Sequence, residues 1–205
     1  VDFARVRQCT RTRIFVSATN VETGRVRVFS GQDLSLDAVM ASACLPQMFR
    51  AVEIDGVPYW DGGFAGNPVL FPFFEVETSS DILIVQINPI FRPGTPRTAR
   101  QILDRVNEIT FNGSLLKELR AIDFVDRLVE RGAVDPDEYR KMHIHILFSD
   151  PYLKPLGASS KLNASWSFLK YLRDKGRHAA RIWLRRHFDD IGERTTVALR
   201  AMYQT

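Results

Sequence analysis

Six residues in the middle of the chain, Ile82-Leu83-Ile84-Val85-Gln86-Ile87, constrain the fold most. The run is apolar almost throughout, and Ser79-Ser80-Asp81 and Asn88-Pro89 bound it. It is strand-sized, and far short of the roughly 18 apolar residues a membrane helix needs. A strand apolar on both faces is expected to be an inner strand of a sheet covered on both sides. That expectation sets the class: strands alternate with long helical stretches, so the chain reads as α/β.

Several neighbours support it. Arg13–Thr19 (RIFVSAT) reads as a buried strand and Arg25–Phe29 (RVRVF) as a half-exposed one, closed into a hairpin by Asn20–Gly24. Ser35–Ser42 reads as a helix capped by Ser35 and stopped by Pro46, with Leu36, Val39 and Met40 at helical spacing. Val52–Ile54 and Val57–Trp60 flank Asp55-Gly56, a strong hairpin signal. Arg97–Arg131 reads as a long helical region interrupted near Asn112-Gly113, and Asp135–Arg140 as a short turn of helix opened by Pro136. Met142–Phe148 reads as a further strand, Asn163–Phe188 as a long amphipathic helix, and Ile191–Met202 as one more helix.

With 205 residues and 45% apolar content the chain can bury a real core. The two cysteines, Cys9 and Cys44, make no disulfide framework and read as reduced, mostly buried thiols of a reducing compartment. A net charge of +4 fits an anionic partner without selecting one. No zinc-finger spacing and no basic run of five appears, so nucleic-acid binding is not expected.

The chemistry centres on Asp61-Gly62-Gly63, which follows the apolar strand ending at Trp60. An aspartate at a strand end sits where α/β proteins place reactive groups, and two glycines let the backbone turn sharply behind it. Taken alone, Asp-Gly is a turn signal. Its surroundings say more. Ala41-Ser42-Ala43-Cys44-Leu45-Pro46-Gln47-Met48-Phe49, the short hairpin, Asp61-Gly62-Gly63 and Asn67-Pro68 follow one another in an order that resembles patatin-like phospholipases. Ser17-Ala18-Thr19-Asn20 looks like the strand before them, and Trp166–Leu199 resembles the tail of a bacterial subgroup.

That resemblance implies a patatin-like three-layer α/β/α sandwich, of which residues 1–205 would be the C-terminal part, with 163–205 a helical extension. It implies a lipid acyl hydrolase that uses a Ser–Asp dyad and no cofactor, with Asp61 as the dyad aspartate and Gly62 and Gly63 as its motif loop. A carboxylate is a weak base, at about 3.9 in the unperturbed state, so Asp61 would need partial burial and a serine hydroxyl within roughly 3 Å. The sequence departs from the family pattern in one respect. It contains no G-x-S-x-G and no G-G-G-x-[RK]-G; Ser114, in Asn112-Gly113-Ser114-Leu115-Leu116, lacks the second glycine. The serine and the oxyanion loop are therefore expected upstream of Val1, on a missing N-terminal segment or a companion chain, and residues 1–205 alone are expected to be inactive. The alternative is a non-catalytic lipid-binding or interaction module on the same scaffold.

Three further groups bear on function. His143 and His145 share one strand face but no third ligand follows at convincing spacing, so no metal is expected. Phe71, Phe73 and Phe74 read as core, or else as the lining of an acyl groove. On the long C-terminal helix Lys170, Arg173, Arg177, Arg181 and Arg185 form a basic stripe, with Leu169, Leu172 and Trp183 on another face; Trp166 and Trp183 read as packing anchors. The stripe is a solvated face, or else a contact with anionic headgroups. The expected partners are thus a lipid acyl ester and a membrane surface met peripherally, and the expected location is cytoplasmic.

Overall fold

A computed structural model describes residues 1–75, 79–135, 138–148, 150–156 and 158–204, without the side chains of Asp150, Ala158 and Ser159. The chain divides into two units, Val1–Pro72 and Phe73–Thr205.

In the first unit α1 (Phe3–Arg7) precedes β1 (Phe15–Asn20) and β2 (Val26–Ser30), α2 (Leu36–Ser42) follows, and β3 (Val52–Ile54) and β4 (Val57–Asp61) close the sheet. All pairings are antiparallel, in the order β2-β1-β4-β3. The β1–β2 hairpin is fixed by Asn20, whose Oδ1 accepts from the Glu22 and Thr23 amides, both at 2.9 Å. The β3–β4 hairpin turns through Asp55 (φ 53°) and Gly56 (φ 77°), the pair of positive φ values that an Asp-Gly turn supplies.

Ser35 caps α2, its Oγ accepting from the Ala38 amide at 3.1 Å. The buried face of α2 is not the predicted one. Ala38 and Ala41 are fully buried, while Leu36, Val39 and Met40 are exposed. The two alanines pack into the cluster formed by Ala18, Phe29, Leu34 and Tyr59, with Val16, Val52, Ile54 and Val57 around it. Small side chains let the helix approach the sheet more closely than leucine and methionine would. The Phe29 and Tyr59 rings meet edge to face at 5.6 Å, and Arg27 donates to the Tyr59 hydroxyl at 3.0 Å while lying over the Phe29 ring.

The division falls inside the four-residue α3 (Phe71–Phe74). Its phenylalanines do not form core: Phe71, Phe73 and Phe74 are all exposed, and the buried residue of the turn is Pro72. In the second unit β5 (Asp81–Gln86), α4 (Ala99–Glu130) and β6 (His143–Phe148) form a β-α-β unit whose strands pair in parallel, Asp81 opposite His143 and Gln86 opposite Phe148. β5 is not covered on both faces. Ile82, Ile84 and Gln86 are buried, whereas Leu83 and Val85 are 49% and 64% exposed, so the strand alternates despite its uniformly apolar sequence. β6, the other strand of this two-stranded sheet, is the better buried, with four consecutive buried residues.

α4 runs unbroken through Asn112-Gly113 for 32 residues, about 48 Å. Asn112 does not break the helix because its side chain has a partner outside it: Nδ2 donates to the Pro89 carbonyl at 2.9 Å. A capping box holds the start of α4, with Gln101 donating its amide to Thr98 Oγ1 and accepting the Thr98 amide. Of the helical turn expected over Asp135–Arg140, Pro136 and Asp137 lie outside the described residues, and Glu138–Arg140 form no helix.

After α5 (Asp150–Leu153), α6 (Trp166–His187) packs through Leu172, Ala179, Ile182 and the buried Trp183. Trp166, expected as a second anchor, is exposed at the first position of the helix. Only α7 (Leu199–Tyr203) forms where a longer helix was expected, because Gly192 turns the chain at φ 84° and residues 195–196 run beside β6 instead. There the Thr196 amide donates to the Ile144 carbonyl at 3.1 Å, and the Ile144 amide to Thr195 Oγ1 at 3.2 Å. Among the described residues no helix is long and apolar enough to cross a membrane. The chain is mixed α/β, as the alternation of strands and helices predicts.

Candidate active site

The site is built where β4 ends. β1 and β4 pair with Ala18 opposite Asp61 and Thr19 opposite Trp60, so the last residue of β4 is held against the middle of β1. The Asp61 amide donates to the Cys44 carbonyl, just past α2, at 2.9 Å. Thr19 Oγ1 donates to the Asp61 carbonyl at 2.8 Å and accepts from the Ala65 amide at 3.1 Å. One threonine hydroxyl thus clasps both ends of the loop. Thr19 is buried, so losing either bond leaves a buried polar group unpaired.

Beyond Asp61 the chain makes a single 3-10 turn over Gly62–Phe64. The half-buried Asp61 side chain caps it, Oδ1 accepting from the Gly63 amide at 2.7 Å. Gly62 is buried, and its position excludes a side chain: a Cβ there would collide with the Ser17 carbonyl and lie 2.5 Å from Ser17 Oγ. The Gly62 carbonyl accepts from the Ala65 and Gly66 amides at 3.1 and 2.9 Å. The Asn67–Pro68 peptide that follows is cis.

The result is a carboxylate fixed at a strand terminus by its own backbone, by Thr19 and by the amide after the next glycine. Such an arrangement can hold an acceptor oxygen still for a proton from a docked hydroxyl. Asp61, Gly62 and Gly63 form the cap and opening of this turn. Ser114 belongs to the other unit, inside α4, its Oγ bonded to the Phe111 carbonyl at 3.4 Å. Sequence reasoning misses Thr19 as a site residue. The signal for it is the Ser17–Asn20 strand, whose small polar residues suit a strand against which another backbone passes closely.

Two cavities, of about 620 and 380 Å3, are lined wholly by the second unit. The larger one is lined by residues of α4 and α6, among them Glu108, which bonds both Arg92 and Arg105. Burial pushes the Glu108 carboxyl up, but the two guanidinium groups outweigh it and hold the group below its ordinary value. These are stabilising ion pairs of the second unit, and size alone does not make that cavity the reacting site.

His143 and His145 both face Asp81. His145, buried, places Nε2 at 2.9 Å from Asp81 Oδ1 and Nδ1 at 3.1 Å from Thr196 Oγ1, and His143 Nδ1 lies 3.6 Å from the same Asp81 oxygen. His145 is thus hydrogen-bonded to Asp81 and Thr196, while His143 stands beside the same carboxylate without a hydrogen bond to it. No group of three residues suited to a metal occurs among the described residues. Cys9 and Cys44 are both free thiols, Cys44 buried and Cys9 exposed.

A family model described as Patatin-like phospholipase matches residues 3–74. The matched stretch holds β1 to β4, Asp61-Gly62-Gly63 and Asn67-Pro68, and ends well before the tail at Trp166–Leu199. No curated protein matches the chain. About a third of the chain, the part that builds and clasps the Asp61 loop, is therefore similar to the patatin-like phospholipases.

Proposed function

We infer that the chain supplies the aspartate of a Ser–Asp dyad in a lipid acyl hydrolase. One observation carries the reading: within the family-matched stretch, Asp61 is held at the end of β4 by the Gly63 amide, the Thr19 clasp and a glycine at 62 that admits no side chain. The serine and the oxyanion donors come from polypeptide outside residues 1–205. Residues 1–205 then form the C-terminal part of one hydrolase domain, with 163–205 as a helical extension.

In this mechanism the Asp61 carboxylate takes the proton of the serine hydroxyl as the serine oxygen bonds to the acyl carbonyl carbon. The tetrahedral oxyanion is held by backbone amides of the missing loop. Its collapse breaks the ester bond, and the proton passes from Asp61 to the departing alcohol. Water, deprotonated by the same carboxylate, releases the acyl group as a carboxylic acid and restores the serine.

The test uses the polypeptide that carries residues 1–205 together with its serine-bearing segment. Asp61→Asn keeps the shape of the side chain and its acceptor oxygen for Gly63 but removes the base. Hydrolysis of a p-nitrophenyl acyl ester is expected to fall by roughly 10²–10⁴, with circular dichroism unchanged. Full activity in that variant would overturn the assignment, and residues 1–205 by themselves are expected to show none.

A further inference from the structure

The charge of this chain is concentrated on one helix. α6 carries seven Lys or Arg side chains and one Asp, an excess of six, against +4 for all 205 residues. The remainder is slightly acidic, so the positive potential belongs to one element. Arg173 is paired with Asp174. Lys170, Arg177 and Arg181 are exposed and have no ion-pair partner among the described residues.

These cations do not stand alone on their face. At 100° per residue Trp166 and Leu184 share one azimuth, and Lys170, Arg177 and Arg181 fall within about 60° of it. The packed positions Leu172, Ala179, Ile182 and Trp183 lie about 160–260° away, on the other side of the helix. The outward face therefore carries a cationic middle with a large apolar side chain at each end: Trp166 is 70% exposed, and Phe188, one residue past the helix, is 67% exposed. The two ends are about 33 Å apart. A basic stripe meant for water has no need of exposed tryptophan and phenylalanine beside it, and none of these aromatic or aliphatic groups is explained by packing.

We propose that the outward face of α6 docks the protein on the surface of an anionic lipid bilayer. Lys170, Arg177 and Arg181 meet headgroup phosphates, and Trp166, Leu184 and Phe188 enter the boundary between headgroups and acyl chains. The long stems of the cations allow both at once, since they keep their charges at the level of the phosphates while the backbone settles lower. A nucleic acid would satisfy the charges but leave the apolar ends in water. The helix is remote in sequence from Asp61, so the inference stands without the hydrolase reading.

The test is co-sedimentation with vesicles of ether lipids, which no esterase can cleave. The protein is expected to pellet with phosphatidylcholine vesicles containing phosphatidylglycerol, and not with phosphatidylcholine alone. Each cation is worth roughly fivefold in partitioning, so K170Q/R177Q/R181Q together should weaken binding on the order of a hundredfold. W166A/F188A should weaken it roughly tenfold at unchanged charge. Asp61→Asn should pellet like the wild type, which separates this inference from the hydrolase reading. Absence of pelleting, or pelleting that the triple charge variant leaves unchanged, overturns the proposal. So does a charge-dependent association with duplex DNA that exceeds the vesicle binding and ignores W166A/F188A.

Discussion

Gly62 shows how much one residue decides at the Asp61 loop. Its backbone runs so close to β1 that the methyl group of an alanine would strike the Ser17 carbonyl, and neither strand can retreat without breaking the Ala18–Asp61 pairing. Gly62→Ala is therefore expected to destabilise the first unit by about 1–3 kcal/mol, read as a lower urea midpoint, and, under the proposed function, to reduce the esterase activity of the serine-bearing polypeptide beyond what instability explains, because Asp61 moves with its neighbour. Thr19→Val removes the hydroxyl that joins the Asp61 carbonyl to the Ala65 amide and keeps the β-branched shape. It should cost about 1–3 kcal/mol in the same measurement, since both abandoned groups are poorly reached by water. The bend at Asp61-Gly62-Gly63 was legible in the sequence because an aspartate followed by two glycines favours a sharp turn at a strand end. Thr19 was not, because its role depends on a cross-strand register that β-type periodicity does not reveal.

Elements were legible to the degree that local rules decided them. The Asp55-Gly56 hairpin, the Ser35 cap and the helix at Trp166–His187 follow from short-range chemistry, and all form. Where neighbours decide, the sequence misled. β5 has an inner-strand composition yet keeps Leu83 and Val85 exposed, and α2 buries its alanines in place of its larger side chains. α4 is the clearest instance. Asn112-Gly113 reads as a break, but the helix continues because Pro89 provides the carbonyl that Asn112 would otherwise seek in its own backbone. Gly113 is then an ordinary helix position, with no neighbour within 4 Å of the point an alanine methyl would occupy. Gly113→Ala should raise stability by about 0.5–1 kcal/mol, seen as a higher urea midpoint of the far-UV circular dichroism. A real break at that site would give the opposite sign.

At the scale of the whole chain, one carboxylate in the second unit ties its own strand to two distant segments. Asp81 Oδ1 accepts from the Gly192 amide at 2.8 Å and meets His145 Nε2 at 2.9 Å, so the start of β5, the middle of β6 and the turn before α7 converge on one oxygen. Burial raises the carboxyl's affinity for its proton, but the Gly192 amide and the two histidines together outweigh it, and the group titrates below its ordinary 3.8. A carboxylate whose pKa is lower in the folded chain adds stability above its unfolded pKa and loses it as the pH falls through the folded value. The contribution should thus be fully present at pH 5 and fade below about pH 4. Asp81→Asn retains an acceptor for Gly192 but removes the charge. Its urea midpoint should lie below the wild type's at pH 5, and the gap should be smaller at pH 3, where more of the wild-type carboxyl has taken up its proton. A gap that stays constant between those two pH values would mean that the ionised form of Asp81 does not hold the C-terminal segment to the sheet, and that the Thr195 and Thr196 bonds to β6 suffice.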